Sequence, residues 1–267
     1  MTSNLQFVLP SSSSSSCYYS AMAVPLVIPA SSTLAFYCKT RGRLRPFGIT
    51  QSRLAIPQRT DLLSVSAIWD ALTGGGAARE ASMAIRQGMQ LFRQGDVQGS
   101  LDAFDKAIEL DPRQKAYLWQ RGLSLYYLSR FEEGAKQFRL DVAKNPNDTE
   151  ESIWCFLCEA QLCGPDEARR CFLEVARDPR PVMREAYTMF KDGGDPDKLV
   201  STFLYGKENE YFYAALYAGL YYESQNDSKS AKNLILAASQ SPYALRSDDY
   251  MASLSKVHCN YRDWHLS

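Results

Sequence analysis

Four of the chain's cysteines lie close together, in the stretch WCFLCEAQLCGPDEARRC from Trp154 to Cys171. Their spacing is C-x2-C-x4-C-x7-C. Thiolates are ligands of zinc and of iron–sulfur clusters, and neighbouring thiols can form a disulfide. The stretch therefore raises the hypotheses of a metal site and of a redox site. Whether the cysteines form a metal site, a redox site or part of the packed core depends on the secondary structure in which they lie.

The surrounding sequence repeats. An offset of 34 residues aligns residues 81–114 with residues 115–148, and the matched positions are small, aromatic or proline residues. A small residue lets two helices approach closely, and a proline ends a helix. The turn between the helices of the first segment is predicted at Gln94 to Asp96, where glycine supplies the unusual backbone angles. The aligned pairs are Gly88 with Gly122, Phe104 with Phe138, and Pro112 with Pro146.

These segments resemble the tetratricopeptide repeat (TPR), a helix–turn–helix unit of 34 residues. The resemblance implies an all-α fold: a superhelix of about four hairpins, the central ones degenerate, with a C-terminal capping helix. Asp141 stands where the family has alanine and is expected to need a partner. The residues that carry the resemblance are Gly88, Gly95, Asp96, Phe104, Ala107 and Glu109 to Pro112 in the first unit, and Gly122, Phe138, Asn145 and Pro146 in the second.

Continuing the 34-residue spacing along the chain predicts the order and bounds of the remaining helical units. The third unit keeps Ala168, Phe172 and Val175 in phase, so its second helix is predicted to run through them. The terminal helix is predicted to be capped by Ser247 or Asp248. The predicted order is a leader over 1–60, a linker over 61–80, and a helical domain over 81–267. That domain comprises TPR1 at 81–114, TPR2 at 115–148, a degenerate TPR3 at 149–182, a short helical pair at 183–210, TPR4 at 211–244 and a capping helix at 245–267.

The layout is also similar to bacterial TPR lipoproteins of the NlpI type, over roughly Arg79 to Lys256. The likeness rests on the runs QRGLSLYYL and NPND, a shortened central unit and tyrosines in the last unit. Proteins of this type are adaptors that hand partners to proteases and cell-wall enzymes. No lipobox is visible, so a lipid anchor is not implied here.

The repeat decides how the cysteines are interpreted. A thioredoxin-type C-x-x-C motif follows a strand, and no strand-like alternation precedes Trp154. Cys155 and Cys158 are predicted in a first helix, Cys163 in the turn and Cys171 in the second helix. Structural thiols are favoured, because buried cysteine packs as a small hydrophobic residue. The alternatives are a metal site and a regulatory disulfide from Cys155 or Cys158 to Cys171; no metal or other cofactor is expected.

The first 60 residues have the composition of an organelle transit peptide. They are rich in serine, contain Lys39 and five arginines, and no acidic residue precedes Asp61. A secretory signal is the rival interpretation, which Pro25 and Pro29 disfavour by interrupting the apolar run. We expect a chloroplast location, the stroma rather than the lumen, with a disordered leader cleaved between Pro46 and Ala67. Without the six basic residues of the leader, 24 of the 30 basic residues remain against 30 acidic ones, which argues against non-specific nucleic-acid binding.

No catalytic constellation is apparent. The chain has two histidines, His258 and His265, both near its C-terminus. The stretch TGGGA from Thr73 to Ala77 lacks the G-K-[ST] of a P-loop, so it is interpreted as linker. The acidic pairs Glu132–Glu133 and Asp248–Asp249 are interpreted as surface or helix-start charges. The protein is therefore expected not to be an enzyme.

The TPR resemblance implies that first helices line a concave groove, which here is apolar and aromatic. The groove lacks the Lys and Asn residues that bind acidic chaperone tails, so a helical or apolar segment of a protein partner is expected. The function predicted is a chloroplast adaptor or assembly factor; the alternative is a thiol- or metal-responsive regulator. Filling of the groove by the protein's own C-terminal helix, a homodimer and peripheral contact with thylakoids are left open. The predicted groove residues are Ile85, Met89, Phe92, Trp119, Leu123, Tyr126 and Leu157.

Overall fold

The computed structural model describes residues 75–265, and within that range every regular element is helical. The all-α class is thus confirmed. The predicted leader, its cleavage site and most of the predicted linker lie outside the described residues. The helices are α1 Gly75–Arg93, α2 Val97–Leu110, α3 Trp119–Tyr127, α4 Phe131–Lys144, α5 Thr149–Cys163, α6 Pro165–Arg170, α7 Pro181–Asp192, α8 Pro196–Phe203, α9 Glu208–Ser224, α10 Ser228–Ser239, α11 Pro242–Arg246 and α12 Tyr250–Tyr261, with a 3-10 turn at Pro112–Tyr117.

Successive helices pack as hairpins, and the same contact recurs in three of them. A glycine in the first helix meets a large side chain sixteen residues later in the second. A methyl group added at Gly122 would lie 2.6 Å from the Phe138 ring, well inside van der Waals contact. The glycines are therefore required for the close approach of the helices. The three contacts are Gly88 with Phe104, Gly122 with Phe138, and Gly219 with Ile235.

The turn of the first hairpin has the predicted form. Gly95 adopts a positive φ of 86°, which favours glycine. The Asp96 carboxylate then accepts a hydrogen bond from the Gly99 amide at 2.9 Å and caps α2.

The third hairpin departs from the prediction. Its second helix, α6, ends at Arg170, and residues 172–178 form no helix. Phe156 stands where the first two hairpins have glycine, and its ring lies 5.8 Å from that of Phe172. Because two rings fill this gap, a helix cannot continue through Phe172 at the close distance of the other hairpins. The chain instead runs beside α5, where the Ser152 hydroxyl donates to the Leu173 carbonyl at 2.5 Å.

Three smaller predictions are wrong. Residues Gly75 to Ala77 begin α1 and are not linker. In the last hairpin the close contact is made by Gly219, so the register starts one residue later than 211–244. Asp249 caps the terminal helix, since its carboxylate accepts from the Met251 amide at 2.9 Å.

Asp141 is buried in α4 and finds the partner it was expected to need. Gln137 donates to one Asp141 oxygen at 3.0 Å, while the other oxygen has no partner among the described residues. Burial raises the pKa of Asp141 to about 7.

The glycine contact makes a matched test possible. Gly122→Ala should lower the free energy of unfolding by about 1–3 kcal/mol, because the methyl overlaps Phe138. Gly76→Ala, also within a helix but with no atom near the added methyl, should be neutral or slightly stabilising. Urea unfolding of the two variants measures both values. Equal effects would contradict the role given to the contact.

Asp141→Asn should change how stability depends on pH. The native pKa of Asp141 lies above its unfolded value, so the wild type loses stability as pH rises from about 4 to about 7. The variant lacks this loss, so its advantage should grow over that window, by at most about 1.4 kcal/mol per pH unit, and then level off. Urea unfolding at a series of pH values measures it; a difference independent of pH would refute the burial argument.

Candidate functional site

The protein's own C-terminal helix occupies the predicted groove. Helix α12 packs against α1 and α10, and Tyr250 at its start stacks on Phe92 with ring centroids 5.2 Å apart. Trp119 meets the same Tyr250 ring edge-on, also at 5.2 Å. Further along α12, His258 Nδ1 lies 3.1 Å from the Tyr127 hydroxyl. The groove is therefore a helix–helix contact within the chain.

Burial corrects the groove prediction residue by residue. Phe92, Leu123, Tyr126 and Leu157 are each at most 2% exposed, so they form core and no accessible surface. The physical reason is that α12 and the neighbouring hairpins cover the apolar side chains that a partner was expected to cover. The remaining predicted residues, Ile85, Met89 and Trp119, are partly buried.

Charged contacts hold α12 in place at both ends. Near its start, Arg93 of α1 donates to the Asp248 carboxylate at 2.5 Å and to the Asp248 carbonyl at 3.0 Å. Near its end, Arg262 donates to the Glu223 carboxylate at 2.5 Å. His258 Nε2 lies 3.2 Å from the other oxygen of Glu223.

Beside α12 a cavity of about 320 Å³ remains, which we call the acidic–aromatic pocket. It lies between α3, α4, α5, the beginning of α9 and the beginning of α12. Of the predicted groove residues, only Trp119 lines it. Its aromatic walls are Trp119, Phe138, Trp154, Tyr213 and Tyr250, and its ionisable groups besides the tyrosines are Asp148, Glu150, Glu151, Arg180 and Asp249.

The single guanidinium of the pocket is already paired. Arg180 donates to Glu150 at 2.6 Å and, through its other nitrogens, to the buried Asp178 at 2.8 and 3.0 Å. Glu150 also accepts from the Tyr217 hydroxyl at 2.9 Å. The pocket therefore keeps an excess of carboxyl groups after Arg180 is accounted for.

Asp249 is held by tyrosines. Its carboxylate accepts from the Tyr213 hydroxyl at 2.8 Å and from the Tyr243 hydroxyl at 2.7 Å. Asp249 is thus the helix-start charge that the sequence predicts, and two tyrosines also bind its carboxylate. Tyr213 in turn lies beneath the Arg180 guanidinium, 5.8 Å from its ring centroid.

Three buried polar atoms of the pocket have no hydrogen-bond partner within residues 75–265. They are Glu151 Oε2, Trp154 Nε1 and the Tyr250 hydroxyl, on residues at most 6% exposed. Burial, followed by a side-chain hydrogen bond with Asp148 and by the charges of Asp148 and Glu150, raises the pKa of Glu151 well above its usual range. The neutral form of this carboxyl is therefore favoured. An unpaired buried polar group costs about 1–3 kcal/mol, so these atoms mark a place where a ligand would be stabilised.

Sequence reasoning missed most of this pocket. Its residues come from five helices, α3, α4, α5, α9 and α12, and from the positions just before α5, α7 and α12, and the chain carries no motif that joins them. The start of α5 carries Asp148, Glu150 and Glu151, and acidic residues are common at the start of any helix. The only sequence feature that could have indicated the pocket is that three acidic residues lie so close together there.

The cysteines are not assembled into a centre. Cys155 and Cys158 are buried, Cys163 is half-buried and Cys171 is exposed. Cys158 packs where Gly134 approaches, and a methyl at Gly134 would lie 2.9 Å from its sulfur. Burial raises the pKa of Cys155 and of Cys158, which keeps both thiols protonated and unreactive. Within the described part of the chain no cluster of three metal-ligating side chains is found.

No family model matches the chain. Over residues 75–265, none of the helices is both long enough and apolar enough to span a membrane.

Thiol labelling tests the cysteine assignment. In the folded protein Cys171 should react rapidly with iodoacetamide, while Cys155 and Cys158 should react only after unfolding, because they are buried and protonated. Peptide mass spectrometry gives the rate at each site, and labelling in denaturant is the control. Rapid labelling of Cys155 in the native state, or its oxidation to a disulfide with Cys171, would instead favour the thiol-responsive alternative.

Proposed function

We propose that this protein is a non-catalytic protein–protein interaction scaffold, a TPR-like adaptor of the chloroplast that assists assembly, maintenance or turnover of a plastid complex. The observation that carries the proposal is the acidic–aromatic pocket, with three unpartnered polar atoms among aromatic walls. Aromatic residues rimmed by polar groups are the composition of interaction hot spots.

The repeated hairpins support the same proposal. Stacked helical hairpins form a rigid frame whose side chains can be specialised for binding while the packing contacts stay constant. Because α12 covers the predicted groove, the partner is proposed to bind at a different surface. With α12 covering the apolar surface, the partner is proposed to contact the pocket and the accessible part of Trp119.

The plastid location rests on the leader. A serine-rich, arginine-containing and acid-free stretch of this length is typical of transit peptides. The proposed compartment is the stroma, with contact at the thylakoid surface as a further possibility for the complex served.

Affinity purification tests the proposal. The full-length chain, tagged at its C-terminus and expressed in a plant, should be recovered from isolated chloroplasts in processed form together with partner proteins. Trp119→Ala should release those partners, since Trp119 lines the pocket. Tyr117→Ala, two residues away, 63% exposed and outside the pocket, should retain them. Mass spectrometry identifies both the partners and the new N-terminus.

The results test the binding surface and the chloroplast location separately. Partners retained equally by both variants would refute the pocket as the binding surface. Recovery outside the chloroplast would refute the location but leave the scaffold proposal to the partner comparison.

A further inference from the structure

We infer that the acidic–aromatic pocket binds a basic side chain, arginine or lysine, presented by a peptide segment of the partner, together with a carbonyl oxygen of that segment. The inference rests on the proposed function and specifies the chemistry of the segment that the adaptor binds.

Charge is the first argument. Asp148, Glu150 and Asp249 line the pocket beside Glu151, whose neutral form is favoured, and the one guanidinium there is bound by Glu150 and Asp178. An acidic or phosphorylated segment would meet like charges. A cation would meet uncompensated carboxyl groups in a site partly shielded from water, where charge–charge interactions are stronger.

The state of Glu151 supports this argument. Burial, together with the nearby Asp148 and Glu150, raises the pKa of its carboxyl, so the protonated form is favoured. A guanidinium or ammonium group would supply the positive charge that this proton now supplies.

The aromatic walls are the second argument. The faces of tryptophan and tyrosine attract cations within about 6 Å of the ring centroid. The protein's own arginines already use this interaction beside the pocket. Arg93 lies 5.5 Å from the Tyr250 centroid and Arg180 lies 5.8 Å from that of Tyr213. The aromatic rings of this region are therefore shown to accept basic groups.

The unpartnered atoms give the third argument and point to a peptide. Glu151 Oε2 and the Tyr250 oxygen can accept hydrogen bonds from a guanidinium or ammonium group. Trp154 Nε1 can only donate, so it requires an acceptor, which a backbone carbonyl beside the basic side chain provides. A purely apolar helix would leave all three atoms unpaired, at a cost of about 1–3 kcal/mol each.

Size agrees with one side chain and its adjoining backbone. A cavity of about 320 Å³ is at the lower end of the usual range for ligand pockets and cannot enclose a helix. A short peptide should therefore bind weakly, with a Kd on the order of 1 mM.

The test uses the ¹⁵N-labelled full-length chain, whose four tryptophans give four indole N–H signals in a two-dimensional NMR spectrum. The signal of Trp154 is assigned with Trp154→Phe. The probes are acetyl-Gly-Xaa-Gly-amide tripeptides, with arginine, lysine, glutamate or citrulline at the central position. Citrulline has the shape of arginine without its charge.

The arginine and lysine peptides should shift the Trp154 indole signal saturably, and the citrulline and glutamate peptides should not. The double variant Asp148→Asn, Glu151→Gln should weaken binding about tenfold, because the amides keep a carbonyl acceptor each but cannot ionise to make charge-assisted hydrogen bonds to a cation. The matched control is Glu132→Gln, Glu133→Gln, which removes two charges from the exposed surface of α4, outside the pocket. The same spectra show whether each variant is folded.

Several results would overturn the inference. Equal shifts from the arginine and citrulline peptides would exclude charge recognition, and a stronger response to the glutamate peptide would reverse it. No shift of Trp154 with any peptide up to about 10 mM, tenfold above the expected Kd, would exclude the site. If free argininamide bound as tightly as the tripeptide, the pocket would bind small cations and the peptide part of the inference would fall. Failure here combined with partner loss in Trp119→Ala would leave the scaffold proposal standing.

Discussion

The contact between a glycine and a large side chain sixteen residues later sets the distance between the helices of a hairpin. At Gly88 and Gly122 the partner is a phenylalanine ring, and at Gly219 it is the branched side chain of Ile235. Since a methyl group would overlap the partner in each case, the contact fixes both which residue faces the neighbouring helix and how near that helix lies. The same contact recurs in these three hairpins.

The hairpin of α5 and α6, which lacks this contact, creates the conditions for the pocket. Phe156 replaces the glycine, α6 stops at Arg170, and the chain continues without helix from 172 to 178. This segment returns beside α5, where the Ala176 amide donates to the Pro146 carbonyl at 2.9 Å. The segment leads to Asp178 and Arg180, whose ion pair extends to Glu150 at the beginning of α5. A full-length second helix would have carried the chain away from this position. The non-helical segment thus places the Arg180 guanidinium where it pairs with Glu150 in the pocket.

The sequence determines the hairpins more clearly than it determines the pocket, for a physical reason. The contacts of Gly88 and Gly122 are local, so a 34-residue comparison is enough to predict them. The pocket depends on Trp119, Trp154, Tyr213 and Tyr250, which are brought together only by the way separate hairpins stack. The burial of Leu123 and Tyr126 likewise depends on where α12 lies, and nothing within the first two units reports that position. From the sequence, packing of the C-terminal helix into the groove could be stated only as one of several alternatives.

The closure of the groove by α12 changes what kind of recognition the protein can perform. An exposed apolar groove accepts many apolar segments, because hydrophobic burial is not directional. With Tyr250 stacked on Phe92, that surface is used for folding, and the chemistry left for a partner is that of the acidic–aromatic pocket. Its unpaired indole, hydroxyl and carboxyl groups penalise any ligand that lacks the matching donors and acceptors, which is how specificity is gained when a binding site is small. The proposed scaffold would therefore give up contact area and gain selectivity for the chemistry of one side chain.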